Sequence, residues 1–251
     1  MTPDTGRLFA AIHATWPAAR TWSVAGFTLR DGDGGGKRVS CATWDGAATG
    51  TAEGGLADAI ARVEAAMREA GQPALFMVPA GADTLDTALA ARGYAVADLT
   101  ALWLCPVERL TDLPVPYLTA FCVWEPLSIM REIWAAGGIG PARLRVMERA
   151  ASPKTGLFGR ALDKPAGAGF CAIHDGIAMV HALEIAPPFR RRGLGAWMMR
   201  QAAFWARDNG ADWMAVLCTE ANAGANALYD RLRMELAGGY HYRIAPEACD
   251  G

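Results

Sequence analysis

Hydrophobic and polar residues alternate along the first 110 residues with a period that changes repeatedly between that of strands and that of helices. Period-two alternation predicts strands at 21–30 and 37–44, joined by the glycine-rich stretch DGDGGG. Because a strand-like segment follows the glycines, a turn is favoured over a phosphate-binding loop, which would open a helix. Helix formers and strand formers then predict a helix at 54–71, a strand at 74–78, a helix at 83–93 and a strand at 94–107.

The second half repeats this mixture of helices and strands. Helices are expected at 125–136 and 141–150, and strands at 154–162, 167–176 and 177–185, the last two joined by the turn Asp175-Gly176. A helix from 193, with an apolar stripe, precedes a strand at 212–218, a helix at 222–232 and a final strand-like stretch, GGYHYRIAP; the stripe consists of Leu194, Trp197, Met198, Ala202 and Trp205.

The prolines of 105–116 indicate a boundary between two domains, 1–110 and 111–251. Both domains mix helices and strands, so the fold class predicted from this pattern is α/β or α+β.

Composition narrows the classes of partner. The chain has 251 residues, of which 52% are hydrophobic and 20% charged, which is ordinary for a folded globular protein. Its net charge is only -2, so general electrostatic attraction to nucleic acid or to an anionic membrane is not expected. Any recognition of an anion must therefore be local.

Nothing in the sequence predicts a membrane segment or a metal site. The first residues, MTPDTGRLFAAIHATWP, lack the apolar core of a signal peptide, and no apolar run approaches the ~20 residues of a membrane span, so a cytoplasmic protein is expected. The six cysteines form no CxxC pair and are expected to be structural thiols; they are Cys41, Cys105, Cys122, Cys171, Cys218 and Cys249.

Three arginines and two glycines stand together at the start of the helix predicted from 193. A strand ends at Ile185, a proline turn follows, and the helix then begins. The first N–H groups of a helix have no internal partner and the helix dipole is positive there, so this position favours an anion. Glycines at 193 and 195 would let a diphosphate approach the backbone, and the arginines of 190–192 would add charge-assisted hydrogen bonds.

The arrangement is neither a Walker loop nor a GxGxxG fingerprint, but an RxxGxG that follows a strand. It resembles the acyl-CoA signature [QR]xxGx[GA] of the GNAT superfamily of N-acyltransferases, matched by Arg190, Gly193 and Gly195. The preceding LEIAPPF resembles the family's LxVxPxx segment, which leads from the central strand to the signature. A second motif, NAGANALYDRLRM at 222–234, resembles the family's NxxAxxLYxxxGF but ends in Arg233 and Met234 in place of Gly and Phe. The resemblance covers residues 153–245.

The resemblance implies a mixed, mostly antiparallel sheet flanked by helices, and transfer of an acetyl group from acetyl-CoA to a primary amine without a metal. It places acetyl-CoA on Leu183, Ile185, Arg190, Arg191, Arg192, Gly193, Leu194, Gly195, Ala196 and Asn222. Backbone N–H groups near 183–185 are expected to stabilise the oxyanion. Tyr229 is expected to donate a proton to the departing sulfur; its alternative is a core tyrosine, and Asn222 could equally be a helix N-cap.

A general base is needed because a free alkyl amine is mostly protonated at pH 7. Glu184, His181 and a chain of water molecules are the candidates, with Glu184 preferred. Strand alternation puts Glu184 and His181 on opposite faces unless a bulge intervenes.

The first half contains a weak copy of the second motif. At an offset of 140, Gly93 and Tyr94 align with Arg233 and Met234, while Leu89 and Ala82 align with Tyr229 and Asn222. This half also lacks an RxxGxG, so residues 1–110 are interpreted as a degenerate GNAT-like domain in tandem with a catalytic one. The alternative is a chance likeness of two strand-helix units.

Three functions are compatible with the sequence. The first is an N-acetyltransferase acting on a small-molecule or peptide amine, the second a non-catalytic acyl-CoA-binding regulatory module, and the third, disfavoured by net charge, binding of nucleic acid through 190–192. Trp103, Trp124 and Trp134 are either part of an acceptor pocket or part of the core. The sequence does not specify the oligomeric state.

Overall fold

The computed structural model describes residues 1–46 and 55–246. Its helices are α1 (Thr5–Thr15), α2 (Gly55–Glu69), α3 (Asp83–Ala91), α4 (Ser128–Ala136), α5 (Pro141–Arg149), α6 (Leu194–Asp208) and α7 (Ala223–Arg231). Its strands are β1 (Arg20–Val24), β2 (Phe27–Asp31), β3 (Ala42–Trp44), β4 (Leu75–Pro79), β5 (Ala95–Pro106), β6 (Ala120–Val123), β7 (Lys154–Ala161), β8 (Lys164–His174), β9 (Ile177–Ile185), β10 (Trp213–Thr219) and β11 (Glu235–Ile244). Cys249 lies outside the described residues.

The described chain forms two compact units. The first unit contains Met1–Pro17, Leu102–Cys218 and Asn222–Ala237, and the second contains residues 18–46, 55–101, 219–221 and 238–246. Helix α1 packs on β8 and β9 and therefore belongs to the first unit, although it precedes the second unit in the chain. The division of roles between 1–110 and 111–251 stays a prediction.

The sheet of the first unit is mixed and mostly antiparallel, as predicted. Strands β6, β7, β8 and β9 follow one another in antiparallel pairs, and β10 pairs with β9 in parallel. Helix α6 covers one face, where Met198 lies against Gly159 and Gly167. Helices α1 and α4 also pack on β8 and β9. Strand β6 was not predicted, because its four residues are all apolar and too few to show a period.

The second unit has the strand order β1-β2-β3-β4-β11, with α2 packed on β1 and β2. The prediction of one strand at 21–30 is wrong, because Ala25 and Gly26 adopt positive φ values of 50° and 79° and turn the chain back on itself. Strands β2 and β3 on either side of the glycine run pair antiparallel, as the predicted hairpin requires. The strand predicted at 37–44 is wrong at its start, because Lys37–Val39 form a 3-10 helix and β3 contains only Ala42–Trp44. Phe27, Ile60 and Phe76 are fully buried in this unit.

Helices α3 and α7 end with the same hydrogen bonds, 140 residues apart. The N–H groups of Gly93 and Tyr94 bond to the carbonyls of Ala90 and Leu89, and those of Arg233 and Met234 bond to the carbonyls of Asp230 and Tyr229. Gly93 and Arg233 both have positive φ, 83° and 55°. The sequence offset therefore corresponds to equivalent positions at the ends of two helices. Arg233 adopts the left-handed conformation for which the second motif has glycine.

Within residues 1–46 and 55–246, no helix is long and apolar enough to cross a membrane. The same residues contain no group of three or more His, Cys, Asp or Glu side chains that could hold a metal ion.

Candidate functional site

Strand β9 contains a bulge at the point where the two predicted bases lie. Its register against β8 pairs His181 with Phe170 and Glu184 with Ala168, so three steps on β9 oppose two on β8. Ala182 absorbs the extra residue with a φ of 50°, in the left-handed region.

The bulge places His181 and Glu184 on the same face of the sheet. Residues directly opposite each other in a pair share a face, and Phe170 and Ala168 are two apart on β8. Simple alternation, which put the two side chains on opposite faces, is therefore wrong for this strand. Leu183 and Ile185 point the other way: Ile185 lies beside Gly167, whose missing side chain leaves room for Met198 of α6.

Trp134 of α4 anchors this bulge. Its side chain is fully buried, and its indole Nε1–H donates a 2.8 Å hydrogen bond to the carbonyl oxygen of Ala182. A strand carbonyl turned out of the ladder at a bulge needs another donor, and Trp134 supplies it.

Strands β9 and β10 separate next to the bulge. Their parallel Cα pairing runs from Ile177 and Trp213 to Val180 and Val216, and it does not continue through the remainder of these two fully described strands. The backbone of β9 from Ala182 onward is therefore not paired to β10. An opening lies between the two strands, bounded on one side by the end of β9 and on the other by the end of β10.

The start of α6 has the geometry of an anion site. Gly193 is the N-cap with φ 84° and ψ -5°, and no side chain caps the helix. A Cβ at Gly193 would meet nothing within 4 Å, so its backbone conformation is what requires glycine there. A Cβ at Gly195 would lie 3.1 Å from Cδ2 of Leu228, so close packing of α6 on α7 requires the second glycine. Leu194 is a core side chain and could offer a ligand only its backbone, and Ala196 donates its N–H to the carbonyl of Gly193.

The three arginines are not equivalent. Arg190 donates from Nε to the carbonyl of Ile185 and from Nη2 to Oε1 of Glu184, both at 2.8 Å. Arg191 and Arg192 are exposed, and Arg191 has a positive φ of 59°. The geometry therefore joins the arginine of the RxxGxG pattern to the preferred base.

Tyr229 is buried on α7, and burial, together with the neighbouring Cys218, raises the pKa of its phenol well above the ordinary value. The ring of Trp103 lies 6.3 Å from its ring. A raised pKa keeps the phenol protonated at neutral pH, which is the form that can donate a proton. Both alternatives for Tyr229 remain compatible with this position, because a buried core tyrosine has the same environment.

Asn222 caps α7, since its Oδ1 accepts a 3.1 Å hydrogen bond from the N–H of Ala225. Asn226, one turn later, donates from Nδ2 to the carbonyl of Asn222 and accepts a 3.0 Å hydrogen bond from Nε1 of Trp103. Trp103 and Asn226 are thus linked to the N-terminus of the helix that carries Tyr229. The second-motif pattern carried no signal for Trp103, which lies far away in the sequence.

His181 is held as a hydrogen-bond donor. The hydroxyl of Thr15 donates its one proton to the carbonyl of Ala11 at 2.6 Å, so the 2.9 Å contact between Thr15 Oγ1 and His181 Nε2 places the proton on Nε2. The imidazole also stacks against Phe170 and Trp16. With the proton on Nε2, Nδ1 is the ring atom that could accept a proton, so this contact leaves both His181 and Glu184 as candidate bases.

Cys41 and Cys105 are buried, and Cys122 is partly buried. Burial raises the pKa of Cys41 and of Cys122 to about 11, and that of Cys105 to about 12. These side chains are therefore neutral thiols at physiological pH, the form that packs as a small apolar group.

Comparisons with known proteins identify similar sequences. Residues 127–233 match the acetyltransferase (GNAT) family. The chain is 28% identical to YobR of Bacillus subtilis, described as an uncharacterized N-acetyltransferase, over 96% of this chain and 98% of that protein.

Solved structures share the fold. A GCN5-related N-acetyltransferase from Kribbella flavida superposes with a TM-score of 0.68 at 18% identity, over 96% of this chain and 93% of the other. A tandem GNAT protein from the clavulanic acid biosynthesis pathway gives 0.57 at 15% identity, over 87% and 77%. Identities this low establish the fold alone. Residues 127–233 are thus similar to the GNAT acetyltransferase family, and the chain has the fold of GNAT proteins.

Proposed function

We propose that this chain transfers an acetyl group from acetyl-CoA to a primary amine of a small molecule or peptide. The observation that carries the proposal is the bulge of β9 at Ala182, beside which β9 separates from β10. The chain then continues through three arginines into a helix whose N-cap is a glycine.

The residues at the start of α6 fit the diphosphate of acetyl-CoA. A Cβ on Gly193 would meet nothing within 4 Å. The first N–H groups of a helix, here those of Leu194 and Gly195, point out of its N-terminal end, where they favour an anion. Arg191 and Arg192 are exposed cations at the same turn. Backbone groups of Leu194, Gly195 and Ala196 would complete the diphosphate site, while Leu183, Ile185 and Asn222 would contact the pantetheine arm.

When bound, acetyl-CoA supplies an acetyl thioester, whose C–S bond breaks as the acceptor nitrogen bonds to the acetyl carbon. Glu184 accepts the proton that the acceptor nitrogen must lose. Backbone N–H groups of β9 beside the bulge stabilise negative charge on the acetyl oxygen. Tyr229, whose phenol is neutral at pH 7, gives its proton to the departing sulfur.

We further propose that residues 1–110 are a degenerate GNAT-like domain and 111–251 the catalytic one. The matched hydrogen bonds at the ends of α3 and α7 support this repeat. At the equivalent positions, Leu89 replaces Tyr229, and Ala82 replaces Asn222 without a capping side chain. The first copy therefore keeps the helix and lacks its polar groups.

The first experiment is thermal unfolding with and without acetyl-CoA. A ligand present at 100 times its Kd adds about 2.7 kcal/mol of stability, which shifts the midpoint measurably. Gly193→Asp and Gly193→Asn have side chains of similar shape and both tolerate positive φ, so they differ mainly in charge at the proposed diphosphate site. We expect the shift to be retained largely in the Asn variant and lost in the Asp variant. No shift in the folded wild type would reject the proposed cofactor site.

Tyr229→Phe separates an enzyme from a regulatory module. An enzyme that uses this phenol as an acid should bind acetyl-CoA as before and turn over about 10² times more slowly. A module that only binds acyl-CoA should show no turnover in the wild type, measured as release of free CoA thiol with a panel of amines.

A further inference from the structure

The ion pair between Arg190 and Glu184 connects two groups to which the proposed function gives different tasks. Arg190 belongs to the pattern expected to hold diphosphate, whereas Glu184 is the group expected to receive a proton. Nη2 of Arg190 donates to Oε1 of Glu184 at 2.8 Å, so each of the two groups is already partnered by the other. The carboxylate oxygen that accepts the hydrogen bond from the guanidinium is occupied and is not open to an amine proton.

Glu184 is the fixed partner of this pair. A Cβ on Gly137, at the end of α4, would lie 2.7 Å from Cδ and Cγ of Glu184, so the glutamate occupies the space that this glycine leaves open. The side chain of Glu184 is 19% exposed, and that of Arg190 is 55% exposed. Arg190 is therefore the more exposed partner, and its Nη2 is the group that can move toward a ligand in solvent while Nε stays bonded to the carbonyl of Ile185.

The start of α6 offers Arg190 a stronger partner once an anion is there. Arg190 is three residues before the N-cap Gly193, and a diphosphate carries more negative charge than one carboxylate. The bond from Nε to the carbonyl of Ile185 ties the guanidinium to the end of β9, next to both partners.

We propose that Arg190 is a switch that couples binding of acetyl-CoA to release of Glu184. In the free protein Arg190 holds the carboxylate; when the diphosphate binds, the guanidinium turns to it and leaves Glu184 able to accept the proton of the amine. The donor would thus bind before the amine is deprotonated. This inference rests on the proposed function and deepens it, because Arg190 acts as a positioning residue through Glu184.

The test is a double-mutant cycle on the Kd of acetyl-CoA, measured by titration calorimetry without an acceptor amine. Glu184→Gln removes the competitor for Arg190, so we expect acetyl-CoA to bind about two- to fivefold more tightly, the effect of a part-exposed ion pair. In an Arg190→Gln background, where the family signature also allows glutamine, the same Glu184→Gln change should leave Kd unaltered.

Each result decides one point. Equal tightening in both backgrounds would mean that Glu184 acts through its general charge, and unchanged Kd in the first background would mean that Arg190 never exchanges partners; either overturns the switch. Absence of acetyl-CoA binding by the wild type would instead reject the proposed function. If Arg190→Gln does not fold, Arg190→Lys serves as the background, because lysine cannot bond Ile185 and Glu184 in the same fork geometry, and the effect of Glu184→Gln should shrink.

Discussion

Trp134 Nε1 lies 2.8 Å from the carbonyl oxygen of Ala182, and this one hydrogen bond ties helix α4 to the irregular point of strand β9. Beyond that point the strand carries Glu184, and before it His181. The orientation of both candidate bases therefore depends on a bulge whose displaced carbonyl is satisfied by a side chain 48 residues earlier in the chain.

Replacing Trp134 by Phe should destabilise the first unit by about 1–3 kcal/mol, because the part-buried carbonyl of Ala182 loses its donor and the smaller ring leaves a void. Urea unfolding checks this expectation. Trp124→Phe is the matched control, since Trp124 is 37% exposed and its cation–π contact with Lys154 can persist on the ring of Phe. Equal losses in the two variants would contradict an anchoring role for Trp134.

The sequence and the structure agree best where a residue type has a local reason. Gly193, with its positive φ, and Asn222, with its capping oxygen, stand where their chemistry predicts the start of a helix. The bulge left only a weak trace in the sequence: the adjacent apolar residues Ala182 and Leu183 interrupt the alternation between His181 and Glu184. Ala182 is not a residue that favours positive φ. The hydrogen bond from Trp134 of α4 to the bulge is a tertiary contact, which the residues of β9 alone do not reveal.

Gly195→Ala should cost stability through one contact. The new Cβ would stand 3.1 Å from Cδ2 of Leu228, so the leucine must move by a few tenths of an ångström. We expect a loss of about 1 kcal/mol in the wild-type background and a clearly smaller loss after Leu228→Ala, which makes room. Thermal unfolding of the four variants measures this coupling. Identical losses in both backgrounds would show that the glycine is needed for another reason.

His181→Phe tests the choice between the two bases. Phe keeps the ring packing on Phe170 and Trp16, and Thr15 still donates to Ala11 after Nε2 is lost. We therefore expect turnover within a few-fold of the wild type, whereas Glu184→Gln should slow turnover by about 10² at neutral pH. Measurement of kcat with an amine found by screening compares the two variants. A loss of similar size in His181→Phe would make the histidine part of the proton path.

Asp86 should make the second unit sensitive to acid. Its carboxylate accepts hydrogen bonds of 2.7 and 2.8 Å from Arg243 and contacts Nε2 of His241 at 2.6 Å. The hydrogen bonds from Arg243, with a smaller contribution from His241, lower the pKa of Asp86 to about 2. A lowered pKa means that the folded protein binds this proton less readily than the unfolded chain, so the stabilisation is complete above the ordinary value of ~4 and is lost as pH falls toward 2.

The expected outcome for Asp86→Asn is a loss of the order of 1–2 kcal/mol at pH 7 and a shallower decline of stability between pH 4 and pH 2. Urea midpoints at a series of pH values give both quantities. Asp163→Asn is the control, because this carboxylate is 97% exposed, and Asn tolerates its positive φ of 58°. Parallel pH profiles for the wild type and Asp86→Asn would show that the contacts of Asp86 with Arg243 and His241 contribute nothing to the acid sensitivity of the fold.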